Sequence, residues 1–511
     1  VDLRISVCYD LANTTEVIVA LGEWCMNRFD ILSRRILPFA LLYFVVLFPF
    51  AYVSAPIQAD DAWIGQQVNS LLDTGEIRSG LFFDFPPLDG NIVVYHKLLV
   101  WSGAAVCSIL GWGLLQLRVV NVFGAILTMV LIYSIPLPSN GRRYTAAAIV
   151  VLIFTPLFWN MQLIFRPETL IMLFGYGSFL SLMYARHRGS VLLCGLSGAL
   201  SGLAGLAHPI GLAFCAAGCV VLLSERRVAC AFVCLAAGLI VFAPYVSGWF
   251  TDRELFMDQL MKNDMMLARP FDNWWQPLLN IVEEHQRLFR KAEVIGVSTL
   301  LILSLIRMRR ADWRANRPLL LYTGTVMLLI AVPPFPKMTQ YMLPEIPLIA
   351  LIVAKAWSNQ PDIDSGWRKG LSRLTMVWTA LFMIYGAGAF AYAAFTKVGP
   401  QLSTNERFAS GIEDKSMVLA PVDFVFPDDD RLKIVSYYGA KRAVAGERDS
   451  YKLEDYAVAL GADYILLSKR EFREWNIELQ DITGQFSRYH LVLADKDQTQ
   501  YLLEATSDNS P

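Results

Sequence analysis

Residues 96–112 read HKLLVWSGAAVCSILGW, and whether this run crosses a membrane decides the topology of everything after it. Eleven other apolar segments flank it, at 36–54, 118–136, 144–160, 168–185, 190–206, 209–224, 228–247, 292–307, 317–333, 341–357 and 374–395. Arg34 and Arg35 precede the first, and placing them in the cytoplasm sets the sidedness of the rest, because short cytoplasmic loops carry the excess of Lys and Arg. With 96–112 left out of the count, the cytoplasmic loops hold Arg142–Arg143, Arg186 and Arg188, Arg226–Arg227, the Arg307–Arg317 cluster, and Arg368, Lys369 and Arg373. Counting it as a twelfth span would put every later arginine pair outside. The run therefore reads as a helix at or dipping into the external surface, with Trp101 and Trp112 at interfacial positions.

Composition agrees with a polytopic membrane protein. The chain has 511 residues, 55% hydrophobic and 17% charged, with a mean hydropathy of +0.43, where soluble domains are about 45–50% apolar and about 25% charged. A formal net charge of −1 offers no argument for a nucleic-acid partner. The eight cysteines (Cys8, Cys25, Cys107, Cys194, Cys215, Cys219, Cys230 and Cys234) lie mostly in apolar stretches, where a thiol behaves as a small hydrophobe. Cys215/Cys219 and Cys230/Cys234 have helical spacing but no His or carboxylate neighbours, so they read as structural rather than metal-binding. The chain opens on Val1, and Met26 just ahead of Arg28 marks the expected start of translation, with 1–35 a cytoplasmic segment. The first apolar run has no cleavage site and is expected to stay as a span.

This sorting leaves three external polar regions: a first loop at 55–117, a second at 248–291 with Trp249, Trp274 and Trp275, and a tail at 396–511 of about 115 residues. Strand-like runs in the tail (Ser416–Leu419, Leu432–Val435, Tyr464–Leu467, Tyr489–Ala494, Tyr501–Glu504) alternate with helical stretches such as 453–461, which predicts a small α/β domain. The expected architecture is an α-helical polytopic membrane protein of about eleven spans over 36–395, with external juxtamembrane helices and that C-terminal domain.

Ionisable residues gather on the external face. Asp60 and Asp61 start a stretch in which Ile64, Val68, Leu71 and Leu72 recur at helical spacing up to Gly75, an amphipathic helix with an aspartate at its N-cap. A cap accounts for one carboxylate, and the second is free to act as a general base toward a hydroxyl or amine. Arg166-Pro167-Glu168 opens a span in the ordinary way, with Pro at the start and an acid in the first turn; facing Asp60, Arg166 also suits a phosphate and Glu168 an orienting role. His208-Pro209 reads either as an interhelical turn or as a functional histidine. Pro333, Pro334 and Pro336 make a stiff turn ahead of Lys337, which is either a snorkelling cation or a phosphate ligand with Tyr341 one turn on. No His/Asp/Glu cluster has metal-ligand spacing, so no cofactor is indicated and a divalent metal stays possible.

Four stretches carry a family resemblance: Ala59-Asp60-Asp61-Ala62-Trp63 with Leu72-Asp73-Thr74-Gly75, Leu117-Arg118-Val119-Val120-Asn121, Arg166-Pro167-Glu168-Thr169-Leu170, and Lys337 through Tyr341 to Pro344. In order and sidedness they resemble the GT-C membrane glycosyltransferases, most nearly the bacterial protein-mannosyltransferase-like and aminoarabinose-transferase-like group (families 39 and 83). That group usually has Asp-Glu where this chain has Asp60-Asp61. Pro86-Pro87-Leu88 is similar to a further motif, but Asp89-Gly90-Asn91 separates it from Tyr95-His96-Lys97, where the family runs straight into a helix.

The resemblance implies inverting transfer of a sugar from a polyprenyl-phosphate donor to a glycan, lipid or protein acceptor at the periplasmic face of the bacterial inner membrane. It implies Asp60 as base, Asp61 in support, Glu168 near the acceptor, and Arg166, Lys337 and Tyr341 on the carrier phosphate; His208 is a substrate-binding candidate from its own position and not from the resemblance. It assigns no acceptor to the tail. Two rivals come from other classes. A lipid or solute transporter or flippase calls for charges in mid-span and broken helices in both halves. A non-catalytic envelope-assembly protein would tolerate Asp60→Asn.

Overall fold

The computed structural model describes residues 29–82, 88, 90–94, 96–134, 141–261, 275–333, 337–358, 366–396, 401–426, 431–444, 448–478, 485–495 and 500–506. Met26 with the rest of 1–28, Pro86-Pro87, Tyr95, Trp274 and Pro334 through Pro336 lie outside them.

Five helices among the described residues are long and apolar enough to cross a membrane: Arg35–Ser54, Leu114–Tyr133, Glu168–Arg188, Val228–Thr251 and Gly370–Phe395. A further apolar pair, Tyr144–Ile153 with Pro156–Leu163, is bent by 66° and has the form of a broken span or a re-entrant loop. Pro156 explains the break, since it cannot donate into the ladder of the preceding turns. Five further expected spans form helices of 13 to 17 residues: Val191–Ala207, Leu212–Ser224, Ala292–Arg307, Arg317–Ala331 and Ile346–Ser358. These fall short of the ~20 residues that cross the hydrocarbon unaided, so helix length by itself supports five or six crossings rather than eleven. The decisive run forms the helix Lys97–Leu110. Its 14 residues rise about 21 Å, below the ~30 Å of a bilayer core.

Small residues let some of these helices approach closely. Gly198 and Gly202 stand four apart on Val191–Ala207, and a Cβ on Gly198 would fall onto the backbone carbonyl of Cys234 in the neighbouring helix. That is the small-xxx-small contact of membrane helix pairs. Gly198→Val is therefore expected to push the two helices apart and lower the thermal unfolding temperature in detergent, whereas Gly195→Ala, whose Cβ meets only the end of the Val233 side chain, leaves it nearly unchanged. At the ends of these helices Arg186 donates from Nε to Glu225 at 2.7 Å, and Arg227 donates to the Arg186 carbonyl at 3.2 Å. Two of the arginine-bearing loops thus meet one another.

The loops at 55–117 and 248–291 are tied together. In the first, β1 (Arg78–Ser79) pairs antiparallel with β2 (Gly90–Asn91). From the second loop, Gln259 accepts from the amides of Val93 and Val94 at 2.9 and 3.3 Å and donates to the Asn91 carbonyl at 2.7 Å. Lys97 donates to the Pro244 carbonyl at 2.8 Å and to Ser247 Oγ at 3.0 Å.

The tail carries a five-stranded mixed sheet of order β4-β3-β5-β7-β6. Its strands are β3 (Met417–Ala420), β4 (Lys433–Ser436), β5 (Tyr464–Ser468), β6 (Tyr489–Ala494) and β7 (Gln500–Ala505). β3 runs parallel to β4 and β5, while β7 runs antiparallel to β5 and β6. The alternation of strand side chains assigns the two faces. Val418, Ala420, Ile434, Leu466 and Leu502 join the main core, and Leu419, Val435, Ile465, Leu467 and Leu503 pack with Leu453, Ala457, Phe472 and Trp475. Both faces are covered, which is why these strands read as near-continuous apolar runs. Ser436 fastens the sheet to the loop at 55–117, donating from N at 3.0 Å and Oγ at 2.6 Å to the Leu81 carbonyl.

Candidate active site

The helix Ala59–Thr74 is capped by Gln58, not by an aspartate. Asp61, at the third helical position, reaches back to the Gln58 amide at 2.9 Å and completes a capping box, and Gly75 ends the helix in the left-handed region at φ 76°. The sequence expectation of an aspartate N-cap is corrected by one residue pair: the reach-back bond uses Asp61, and Asp60 is left over.

Asp61 is fully enclosed. Arg118 meets it at 2.7 Å with both side chains buried, and the Phe165 amide donates to its other oxygen at 2.5 Å. Arg118 also donates to the carbonyls of Ala55 and Pro56, at 3.2 and 2.9 Å. One turn further along the same helix, Asn121 Nδ2 donates to the carbonyls of Met161, Ile164 and Arg166. The Arg118…Asn121 stretch thus holds both the start of the Asp60 helix and the turn that carries Arg166. Both oxygens of Asp61 are thus taken by protein donors.

Arg166 stands between two carboxylates. It pairs with Asp60 through Nη1 and grips Glu168 with Nη2 at 2.8 Å and Nε at 3.0 Å. These bonds use three of its five N–H donors, so one hydrogen on each terminal nitrogen stays available. Glu168 is 1% exposed, whereas Asp60 keeps 35% of its side chain open. That open part faces a cavity of about 800 Å³, which Asp60 and Arg166 line together with Asn160, Lys291, Glu293 and Tyr392. Burial pushes the Asp60 carboxyl above its usual range; Arg166 opposes this, and Glu168 and Asp61 add to it. Burial works against the charge on Arg166, but Glu168 and Asp60 outweigh it and hold the guanidinium above its ordinary pKa.

On the other side of this trio runs a line of rings. Trp63 meets His96 edge-on at 6.1 Å, His96 stacks on His208 at 5.5 Å, and His208 lies 6.0 Å from Tyr341. Both histidines are buried, which lowers His96 to about 3 and His208 to about 4, with Glu168 pulling upward and Arg166 downward on each; His208 also pushes His96 down. His208 Nδ1 accepts from the Ile210 amide at 3.3 Å, so a neutral ring carries its proton on Nε2.

Lys337 belongs to a neighbouring cluster. Its ammonium donates to the Ala331 carbonyl at 2.6 Å and pairs with Glu284 at 3.3 Å. Arg287 completes the group by pairing with Glu284 and with Glu345 at 2.9 Å, and by donating to the Tyr341 carbonyl at 2.9 Å. Asp60, Arg166, Glu168, His208 and Tyr341 therefore come together, with Lys337 one ion-pair network away. Arg118, His96, Lys291, Glu284 and Arg287 are site residues that reading the sequence did not assign. For Arg118 the signal was available, as a charge inside an apolar run. The other four are placed by contacts between distant segments.

For a bridging cation, Asp60 and Glu168 would be the natural ligands, but the guanidinium of Arg166 already occupies the space between them. The thiols of Cys215, Cys219 and Cys234 do lie within 4.8 Å of one another, a group the cysteine spacing did not foretell. Two of them lie against backbone carbonyls, Cys215 Sγ 3.9 Å from that of Cys234 and Cys219 Sγ 3.5 Å from that of Ala231.

Compared with solved structures, the chain superposes over 93% of its length on 99% of ArnT from Cupriavidus metallidurans, crystallised bound to undecaprenyl phosphate, with a TM-score of 0.61 and 12% identity. The archaeal oligosaccharyltransferase AglB from Archaeoglobus fulgidus, in complex with an inhibitory peptide and a dolichol phosphate, matches at a TM-score of 0.50 and 12% identity over 93% of this chain and 75% of that one. This is the GT-C fold. No protein-family model and no curated protein sequence matches the chain. At 12% identity the likeness concerns the GT-C fold alone, so the chemistry must be argued from the residues above.

Proposed function

We propose that the protein transfers a sugar, with inversion, from a polyprenyl-phosphate donor to an acceptor at the external face of a bacterial inner membrane, with about eleven crossings, a cytoplasmic N-terminus and a periplasmic tail. The observation that supports this reading is the Asp60–Arg166 pair lining one wall of a large cavity, with Glu168 buried behind Arg166 and holding it. Asp60 takes the proton of the acceptor hydroxyl or amine. The freed nucleophile forms a bond to the anomeric carbon as the bond from that carbon to the phosphate oxygen breaks, and the electron pair leaves on the polyprenyl phosphate. Arg166, with N–H groups to spare, steadies that charge. Glu168 orients Arg166 and the acceptor. His208 and Tyr341 flank the phosphate, and Lys337 reaches it once Glu284 shares its ammonium. No step is routed through a metal, and EDTA is expected to leave the rate unchanged.

The reading is tested with full-length protein in nanodiscs and radiolabelled polyprenyl-phosphate sugars, using envelope extracts as acceptor. Transfer of label to the extract is expected. Label crossing the membrane unchanged would favour a transporter, and no consumption of any donor would favour an assembly role.

A pH prediction follows from the charge balance. Asp60 works only when ionised, and Arg166 lowers its pKa. Removing that cation in Arg166→Gln raises the carboxyl pKa, so the acid limb of the kcat/KM profile is expected to move to higher pH as the rate falls. A limb that stays put or moves down would show that another group titrates.

A further inference from the structure

A second, smaller cavity of about 320 Å³ lies between the tail and the start of the Asp60 helix. Its floor is the carboxyl end of three parallel strands: Pro421–Asp423 follow β3, Tyr437–Lys441 follow β4, and Ser468–Glu471 follow β5. The sheet order makes this a special position. From β3 the chain moves outward to β4 at one edge, and from β5 it moves the opposite way to β6 at the other. The connections diverge between β3 and β5, and sheets of this kind bind ligands in the crevice outside the carboxyl ends at such a switch point.

The cavity is held against the candidate active site. Gln58 and Ala59 form its other wall, and Gln58 also lines the large cavity in which Asp60 is exposed. The bond from Ser436 to Leu81 and the edge-on packing of Tyr438 against Phe82, at 5.1 Å, fix the tail to the loop at 55–117. Two cavities therefore meet at the residues immediately before the proposed base.

We propose that this switch-point cavity is the acceptor subsite, and that it takes an uncharged, hydroxyl-rich group of the carbohydrate type. This inference rests on the transferase reading of Asp60. The chemistry of the walls supports the ligand class. Tyr438 offers a ring, with Lys441 5.7 Å from its centre. Asp423 and Glu471 supply acceptors for hydroxyls, and Arg470 and Lys441 supply donors. Both cations are already paired with Glu474, Arg470 at 2.9 Å, so three carboxylates face two cations and an anionic headgroup is disfavoured. Burial lifts Asp423 to about 6, with Glu471 adding to it and Arg470 opposing, so near neutral pH its carboxylate is mostly ionised and accepts from hydroxyls.

The test is saturation-transfer NMR on the full chain in nanodiscs, with methyl hexosides and N-acetylhexosamines as probes and the matching sugar phosphates as competitors. Neutral sugars are expected to receive saturation from the protein. Binding should weaken by about tenfold or more in Tyr438→Ala and in Arg470→Ala, persist in Tyr438→Phe, which keeps the ring, and persist in Asp60→Asn. Saturation unchanged in both alanine variants, preference for the sugar phosphates, or no saturation of any neutral sugar would overturn the subsite. Binding in this pattern without transfer by wild-type protein would instead overturn the transferase reading while the sugar site stands.

Discussion

Asp60→Asn is expected to lower the rate of sugar transfer by about 10²–10⁴-fold, the usual worth of a positioned general base. The substitution is informative because it spares the fold. The helix is capped by Gln58 with Asp61 closing the capping box, so Asp60 makes no capping bond. Asparagine keeps an oxygen that can accept from Arg166, and the site is already open to the cavity on that side. What is lost is the ability to hold a proton from the acceptor. Donor affinity should be unchanged or tighter, since Arg166 then spends less of its charge on Asp60. Loss of kcat with donor KM retained is the expected pattern, and transfer within about threefold of wild type would place the base elsewhere.

Arg118→Met is expected to cost about 3–5 kcal/mol of stability, the penalty for leaving one partner of a buried ion pair alone. Arg118 and Asp61 are both fully buried, and no water-facing route relieves the stranded carboxylate. Arg118→Lys should recover little, because an ammonium cannot reach the Ala55 and Pro56 carbonyls and both Asp61 oxygens together as the guanidinium does. Combining Arg118→Met with Asp61→Asn removes the uncompensated charge, so the double variant should be more stable than the single one. Thermal unfolding in nanodiscs measures all three. A loss below about 1 kcal/mol for Arg118→Met would mean that the pair behaves like a surface bridge.

Much of the site is visible in the sequence because the relevant residues break local rules. Two adjacent carboxylates exceed what a cap requires, and Arg166 and Lys337 stand out in loops poor in charge. Which aspartate does the capping was not readable, since both spacings are compatible with a helix start until the reach-back bond to Gln58 is seen. Arg118 sat at the expected start of a span, 118–136, but the helix begins at Leu114 and carries it inward by one turn. Glu284, Arg287 and Glu345 meet across some sixty residues of chain, and nothing in local periodicity links a surface loop to the mouth of a span. Cys234 joins Cys215 and Cys219 through close helix packing, which spacing along one helix cannot report. Span count was the least legible quantity, because apolar runs continue through the break before Pro156 and through the short helices alike.

The helix Leu114–Tyr133 joins two of these observations. Arg118 anchors the Asp60 side and Asn121 the Arg166 side, from positions less than one turn apart. The Asp60 helix and the Arg166 turn are thus surveyed from a single benchmark. A displacement of this one helix would therefore carry both groups together and leave their spacing unchanged.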